Sequence, residues 1–507
     1  MGILTLETLT LLLNGFGVAL QPANLLGAAV GVIIGQLIGV LPGVGPSAAI
    51  AILLPVTFGL DPTTAMIMFI GIYYGAMYGG TITSVLLRIP GESASVMTTL
   101  DGYAMAQQGR AGAALGIAAF GSFIAGTVGI IGLMFLAEPL TNAALAFGPP
   151  EFTALLALSF SLVIYLTGRD KVKGAVSVLL GLWLSVVGVD LISGLPRFTF
   201  GQLKLLSGIE FVPVAVGLFG IAEVLLSAAA QSSYRPVESR FTLRGVLPTA
   251  ADWAASRWAI VRGTLSGFVV GMLPGAGATA ASMISYTIEK RAARDPSRFG
   301  RGAIEGVAGP ESSNNAAAVG AMVPLLTLGL PGSATTAVML GGLMLYGLRP
   351  GPLLFEEHPQ FAWGIIASMH VSNFMLVLVN LVAIPVFVSV LRVPKAVLLP
   401  AIIALAVVGT FSLENHLFEV WLALGFAVLG YLMERYEYPP APLVLALVLG
   451  NTMEMAARQS LLLSKGSPMI FLTRPISATL IALTVGLVLA SVLRRRPIVA
   501  APQLAKG

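Results

Sequence analysis

Apolar runs cover most of the chain, and short polar or proline–glycine stretches break them. In the first half they predict spans or half-spans at 4–20, 23–42, 46–58, 62–80, 93–108, 112–136, 151–167, 174–195 and 211–230. A polar stretch follows at 231–257. The second half predicts 258–274, 277–289, 303–309, 316–329, 333–347, 361–391, 396–411, 416–433, 441–463 and 470–493. About 20 helical residues are needed to cross ~30 Å of hydrocarbon, and several of these runs are shorter. Broken helices are stable at membrane depth only where protein or a wet cavity surrounds them. The pattern therefore predicts an all-α polytopic membrane protein.

One glycine ladder occurs twice. Gly27, Gly31, Gly35, Gly39 and Gly43 run into Leu41-Pro42-Gly43-Val44-Gly45-Pro46-Ser47, and Gly263, Gly267, Gly271 and Gly275 run into Leu273-Pro274-Gly275-Ala276-Gly277-Ala278-Thr279. The offset is 232 residues (263 minus 31). A four-residue step places the glycines on one helix stripe, where a second backbone approaches closely. The proline–glycine pair then ends the helix. Two helices broken at matching places point to a transporter's binding site. The correspondence continues: Ile89-Pro90-Gly91-Glu92-Ser93 matches Leu330-Pro331-Gly332-Ser333-Ala334-Thr335. This gives a first membrane half at 1–235, a cytoplasmic linker at 236–256, a second half at 257–495 and a cytoplasmic tail at 496–507.

Charge suggests that the halves are inverted. No Lys or Arg precedes Arg88, whereas Arg257, Arg262, Lys290, Arg291, Arg294, Arg298 and Arg301 flank the second ladder. Cytoplasmic loops carry the excess of Lys and Arg. Arg262 and Glu289 lie so close in sequence, with a break between them, that a re-entrant hairpin is expected there. Composition agrees with the membrane reading: 56% hydrophobic, 10% charged, mean hydropathy +0.91. The net charge of +5 sits in short loops, so a nucleic-acid surface is not expected. With no cysteine there is no disulfide framework, and the three histidines have no metal-ligand spacing. No nucleotide-binding glycine loop appears, so ATP-driven transport finds no motor.

The motifs then become recognisable. Tyr73-Tyr74-Gly75-Ala76-Met77-Tyr78-Gly79-Gly80, Ile89-Pro90-Gly91-Glu92, Leu100-Asp101-Gly102-Tyr103 and Gly309-Pro310-Glu311-Ser312-Ser313-Asn314-Asn315-Ala316-Ala317, with Gly329-Leu330-Pro331-Gly332-Ser333, form one set. Over about residues 5–495 the chain resembles the large membrane subunit of the tripartite tricarboxylate transporters. The resemblance implies a multi-pass protein of the bacterial inner membrane. It implies a secondary transporter that imports di- or tricarboxylates such as citrate, driven by Na⁺ or H⁺, with elevator-like alternating access. It further implies two partners, a small four-span membrane subunit and a periplasmic substrate-binding protein, and no cofactor beyond the coupling ion.

Candidate residues follow from the breaks. Pro90, Gly91, Glu92 and Ser93 in one half, and Pro331, Gly332, Ser333 and Thr335 in the other, precede helical stretches. Helix starts present free N–H groups and positive partial charge, which suit a carboxylate; Ser93 and Ser333 also suit simple capping. Ser312, Ser313, Asn314 and Asn315 offer neutral oxygens that, with unwound carbonyls, suit a small cation. Gly43, Gly45, Gly275 and Gly277 are candidate hairpin tips facing an ion or substrate, or tight packing turns. Tyr73, Tyr74 and Tyr78 are candidates for lining a cavity, but read more simply as interfacial anchors. A competing class is an intramembrane enzyme on lipid or peptide substrates, which requires an ordered nucleophile and base that the sequence does not display.

Overall fold

The computed structural model describes residues 6–41, 44–166, 170–190, 192–229, 243–390 and 395–493. Helices dominate. In the first half α1 is Leu6–Ala19, α2 Pro22–Val40, α3 Pro46–Thr57 and α4 Pro62–Leu87. A short 3₁₀ turn, Ser93–Ser95, leads to α5 (Thr98–Gln107), α6 (Ala111–Leu145), α7 (Pro149–Leu166) and α8 (Lys171–Ser185). Strands β1 (Gly188–Val189) and β2 (Pro196–Arg197) pair antiparallel before α9 (Phe211–Ala229). In the second half α10 is Ala250–Gly271, α11 Gly277–Ala292, α12 Glu305–Gly320, α13 Met322–Leu328 and α14 Ala334–Leu345. Then come α15 (Pro359–Val390), α16 (Lys395–Glu414), α17 (Leu417–Arg435), α18 (Pro440–Leu463) and α19 (Pro475–Leu493). Among the described residues, nine helices are long and apolar enough to cross a membrane. The chain is a multi-pass membrane protein.

Local chemistry sets the boundaries. Asp61 caps α4 by accepting from the Thr63 N–H, with Pro62 in the first turn. At the far end Arg88 takes a left-handed conformation (φ 60°) that stops the helix. α10 starts earlier than its apolar run because Thr249 and Asp252 form a capping box ahead of it. The expected span at 174–195 stops at Ser185, since Gly188, Gly194 and Pro196 turn the chain into the β1–β2 hairpin. The expected piece at 93–108 is likewise two elements, the 3₁₀ turn and α5.

Two helices form the centre. Every residue of α12 from Gly306 to Gly320 is buried, and α4 is buried from Thr64 to Leu86. Each receives a glycine ladder. Gly31, Gly35 and Gly39 of α2 lie on the carbonyls of Met68, Ile72 and Ala76, and Gly263, Gly267 and Gly271 of α10 lie on those of Gly309, Ser313 and Ala317. The partner residue advances by four at each rung, so a Cβ at any rung would strike a carbonyl of the facing helix. The opposite faces carry exposed Leu26 and Ile33 on α2, and Leu265 and Val269 on α10.

The halves interlock. α6 packs on α12, and α15 packs on α1, α2, α4 and α6. They also differ in one respect. α10 and α11 fold back on each other, tied by Arg262 Nε to Glu289 Oε1 at 2.8 Å, whereas α3 leaves α2 and packs on α14, α16 and α9. Gly43, the linker residues 236–242 and the tail 496–507 lie outside the described residues.

Candidate functional site

The second break brings the duplicated motifs together. After α10 the chain turns through Gly275 (φ 82°) and Gly277 (φ 61°), a backbone that side chains disfavour. The Gly275 N–H donates to the Gly332 carbonyl at 3.0 Å. Gly332 in turn sits on the Gly271 carbonyl, which a Cβ would approach to 2.8 Å, and Gly91 sits the same way on the Gly39 carbonyl. Each Pro-Gly turn is thus pressed onto the end of its own ladder helix.

Hydroxyl groups gather between these turns. Ser93 Oγ, exposed, lies 2.8 Å from Thr279 Oγ1 in the first turn of α11. Gly277 lies beside Ser333, where a Cβ would stand 3.8 Å from Ser333 Cβ. Ser333 Oγ is 3.4 Å from the hydroxyl of buried Tyr73. The starts of α11, α14 and the 3₁₀ turn at Ser93 therefore converge. The first N–H groups of a helix have no intrahelical partner, and each start attracts an anion by ~0.3–1 kcal/mol, up to ~2 when partly buried.

The other expected residues take varied places. Ser333 caps α14 in a reciprocal box with Thr336, and Thr335 is buried in the first turn. On the other side the cap is Glu92, not Ser93: its carboxylate accepts from the Ala94 N–H at 2.7 Å, which leaves the Ser93 hydroxyl free to face Thr279. Gly91 is buried and Pro90 half-buried. Gly275 packs against Val163 of α7. Gly45 is the residue before α3, and its carbonyl accepts from Ala49; it does not take part in the contacts that join the turns.

The polar run at 311–315 is not unwound. It lies inside continuous α12, where the Glu311 carbonyl also accepts from Ser122 Oγ and Asn315 Nδ2, both at 3.1 Å. Asn314 Nδ2 donates to Glu311 Oε2 at 3.2 Å, and Asn315 Nδ2 donates to Asn314 Oδ1 at 2.7 Å and to Ser122 Oγ at 2.8 Å. The hydroxyls of Ser312 and Ser313 are buried with no hydrogen-bond partner. Glu311 is the centre of this network, and Thr81 and Thr98 reach it from α4 and α5. The sequence offered Thr81 only as part of a weaker polar run, and it did not point to Thr98. A signal was present in the half-one polar run of Thr81, Thr83 and Ser84, which aligns with nothing charged of its own. The interfacial reading of Tyr73, Tyr74 and Tyr78 is overturned: all three are at most 3% exposed, on the central helix.

Comparison with known proteins decides the family. The profile of the tripartite tricarboxylate transporter TctA family matches residues 25–445. The chain belongs to that family. It is therefore a membrane transporter component, from a family whose transporters have three parts. It is 43% identical, over 94% of its length and 95% of the relative's, to an uncharacterized 52.8 kDa protein of Agrobacterium vitis from the TAR-I ttuC' 3' region. A second Agrobacterium vitis protein, from the TAR-II ttuC' 3' region, is 44% identical over 43% of this chain and 90% of its own. No solved structure matches.

Proposed function

We propose that this chain is the transport subunit of a binding-protein-dependent secondary transporter, importing di- or tricarboxylates across the bacterial inner membrane on a Na⁺ or H⁺ gradient. The observation that carries this reading is the meeting of the two turns, where Ser93 of one Pro-Gly turn meets Thr279, and the other turn supplies Ser333 beside Tyr73. Two duplicated turns contributing hydroxyls and helix starts to one place match a substrate with two or more carboxylates. A small membrane subunit and a periplasmic binding protein complete the carrier.

Orientation follows from the charges. Lys171 and Lys173 begin α8, and the Lys173 ammonium reaches the Tyr436 carbonyl at the end of α17, so this end is cytoplasmic. The β1–β2 hairpin then faces the periplasm. α10 and α11 both have basic outer ends, so their hairpin enters the membrane from the cytoplasm and leaves by the same side. Its counterpart in the first half enters from the periplasm, which makes the repeats inverted. The closed α10–α11 pair and the open α2–α3 pair are two states of one device, and exchanging them moves this site between sides in elevator-like alternating access.

The test is uptake of labelled citrate and other dicarboxylates and tricarboxylates into proteoliposomes holding this chain and its small subunit. Uptake is expected only with an added binding protein and an inward ion gradient. Uptake of no carboxylate with any partner from the same operon overturns the reading.

A further inference from the structure

Glu311 is fully buried in α12, and no basic side chain pairs with it among the described residues. Its partners are neutral. Thr81 Oγ1 donates to Oε2 at 2.7 Å, Thr98 Oγ1 donates to Oε1, and Asn314 Nδ2 donates to Oε2 at 3.2 Å. They come from three elements, two in the first half of the chain and one in the second. A second carboxylate stands close by. Glu92 is 5% exposed, lies against Gly80, the residue before Thr81, and leaves Oε1 buried without a partner. A carboxylate taken out of water without a counter-charge is costly, and two in one neighbourhood are costlier. Inside a membrane such groups mark ion pathways.

We propose that Glu311, Thr81 and Thr98, with Glu92 and Asn314 beside them, form a binding site for one small monovalent cation, sodium. The oxygen set favours this. A proton needs a single carboxylate oxygen, whereas here a hydroxyl stands on each oxygen of Glu311. A threonine hydroxyl has two acceptor lone pairs and rotates to suit, so both turn from donating to Glu311 to facing a cation. Hard cations select oxygen ligands of this kind.

The site also explains coupling, and in that respect it rests on the transport reading above. Glu92 belongs to the turn that carries Ser93 to Thr279. With sodium bound, the turn is held against α4 and Ser93 stays opposite Thr279. Without it, Glu92 and Glu311 repel and the turn is released. Sodium and carboxylate then each favour the state that binds the other, which is reciprocal linkage.

The experiment uses the purified full chain in nanodiscs, with ²²Na⁺ binding and thermal unfolding measured in sodium against potassium or choline at constant pH and ionic strength. Saturable sodium binding and a sodium-specific rise in unfolding temperature are expected. Glu311→Gln keeps the side-chain shape and should abolish both. Thr98→Val and Glu92→Gln should weaken sodium binding at least tenfold while the proteins still unfold cooperatively. No saturable sodium binding in the wild type overturns the proposal, as does full binding by Glu311→Gln. Stabilisation by lowered pH alone, with no response to sodium, also overturns it in favour of a proton. A chain that binds sodium through Glu311 yet carries no carboxylate overturns the transport reading and leaves the site standing.

Discussion

At the scale of single residues, close backbone approach gives the sharpest expectations. Val at Gly91 would strike the Gly39 carbonyl, and Val at Gly332 would meet the Gly271 carbonyl and Ala321. Both substitutions should abolish uptake. At Gly121 in α6 a Cβ would stand 2.8 Å from Ser312 Oγ, so a bulky residue there would also disturb α12. Gly425 in α17 has open space, so Gly425→Val should express and transport as the wild type does; normal uptake by Gly332→Val would show that the turn is not part of the site. Asp101 makes a second demand. Its Oδ1 accepts from the N–H groups of Gly300, Gly302 and Ala303 at 2.8–2.9 Å, and its Oδ2 accepts from the Tyr286 hydroxyl at 2.9 Å. It pins a loop of the second half from the first. Asp101→Ala leaves those donors unpaired and should cost about 3 kcal/mol or more, read as a lowered unfolding temperature. The sequence marked Asp101 as part of a motif but did not show its partners, which are about 200 residues away.

At the scale of elements, the α10–α11 hairpin depends on an ion pair of unequal burial. Glu289 is 2% exposed, while the Arg262 side chain reaches solvent. Arg262→Ala strands a buried carboxylate and should destabilise by roughly 3–5 kcal/mol. Arg262→Met with Glu289→Met should recover much of that loss, because no unpaired charge remains. A double-mutant cycle on unfolding temperatures checks this, and additive single effects would refute it. The turn between α10 and α11 was legible in advance from Pro274-Gly275-Ala276-Gly277, whereas the pairing of Arg262 with Glu289 is seen only in the structure. The continuity of α12 was not legible, because Pro310 and five polar residues resemble a break, whereas Thr81, Thr98 and Ser122 from neighbouring helices meet Glu311 and Asn315 within an unbroken helix. The β1–β2 hairpin carries a pH dependence. The Ile192 N–H, and then Arg458, hold the Asp190 carboxyl at about 2, below its ordinary 3.8. The folded value is the lower one, so this anchoring is complete above pH ~4 and is lost as pH falls towards 2. Asp190→Asn should mimic the acid state at neutral pH. Faster proteolysis within the hairpin of that variant is the expected readout, and an unchanged cleavage rate would refute it.

At the scale of the whole molecule, the halves share a ladder, a turn and a buried central helix, yet differ in how the following helix packs. Single cysteines placed at Asp61 and Asp295 in this cysteine-free chain should label from opposite sides of the membrane. Labelling from one side would remove the inverted relation and, with it, the exchange of hairpin states.

The sequence by itself determined the helical membrane class, the repeated motifs, the two Pro-Gly turns and the family, because these depend on local hydropathy, on backbone freedom at Gly and Pro, and on short motifs. Only the tertiary structure decided which breaks meet and which polar residues share a site. Ser93 and Thr279 are 186 positions apart, and Thr81 and Glu311 are 230 apart. Such pairs follow from how the two halves interlock, and that packing is set by the shapes of whole helices rather than by any local run of residues.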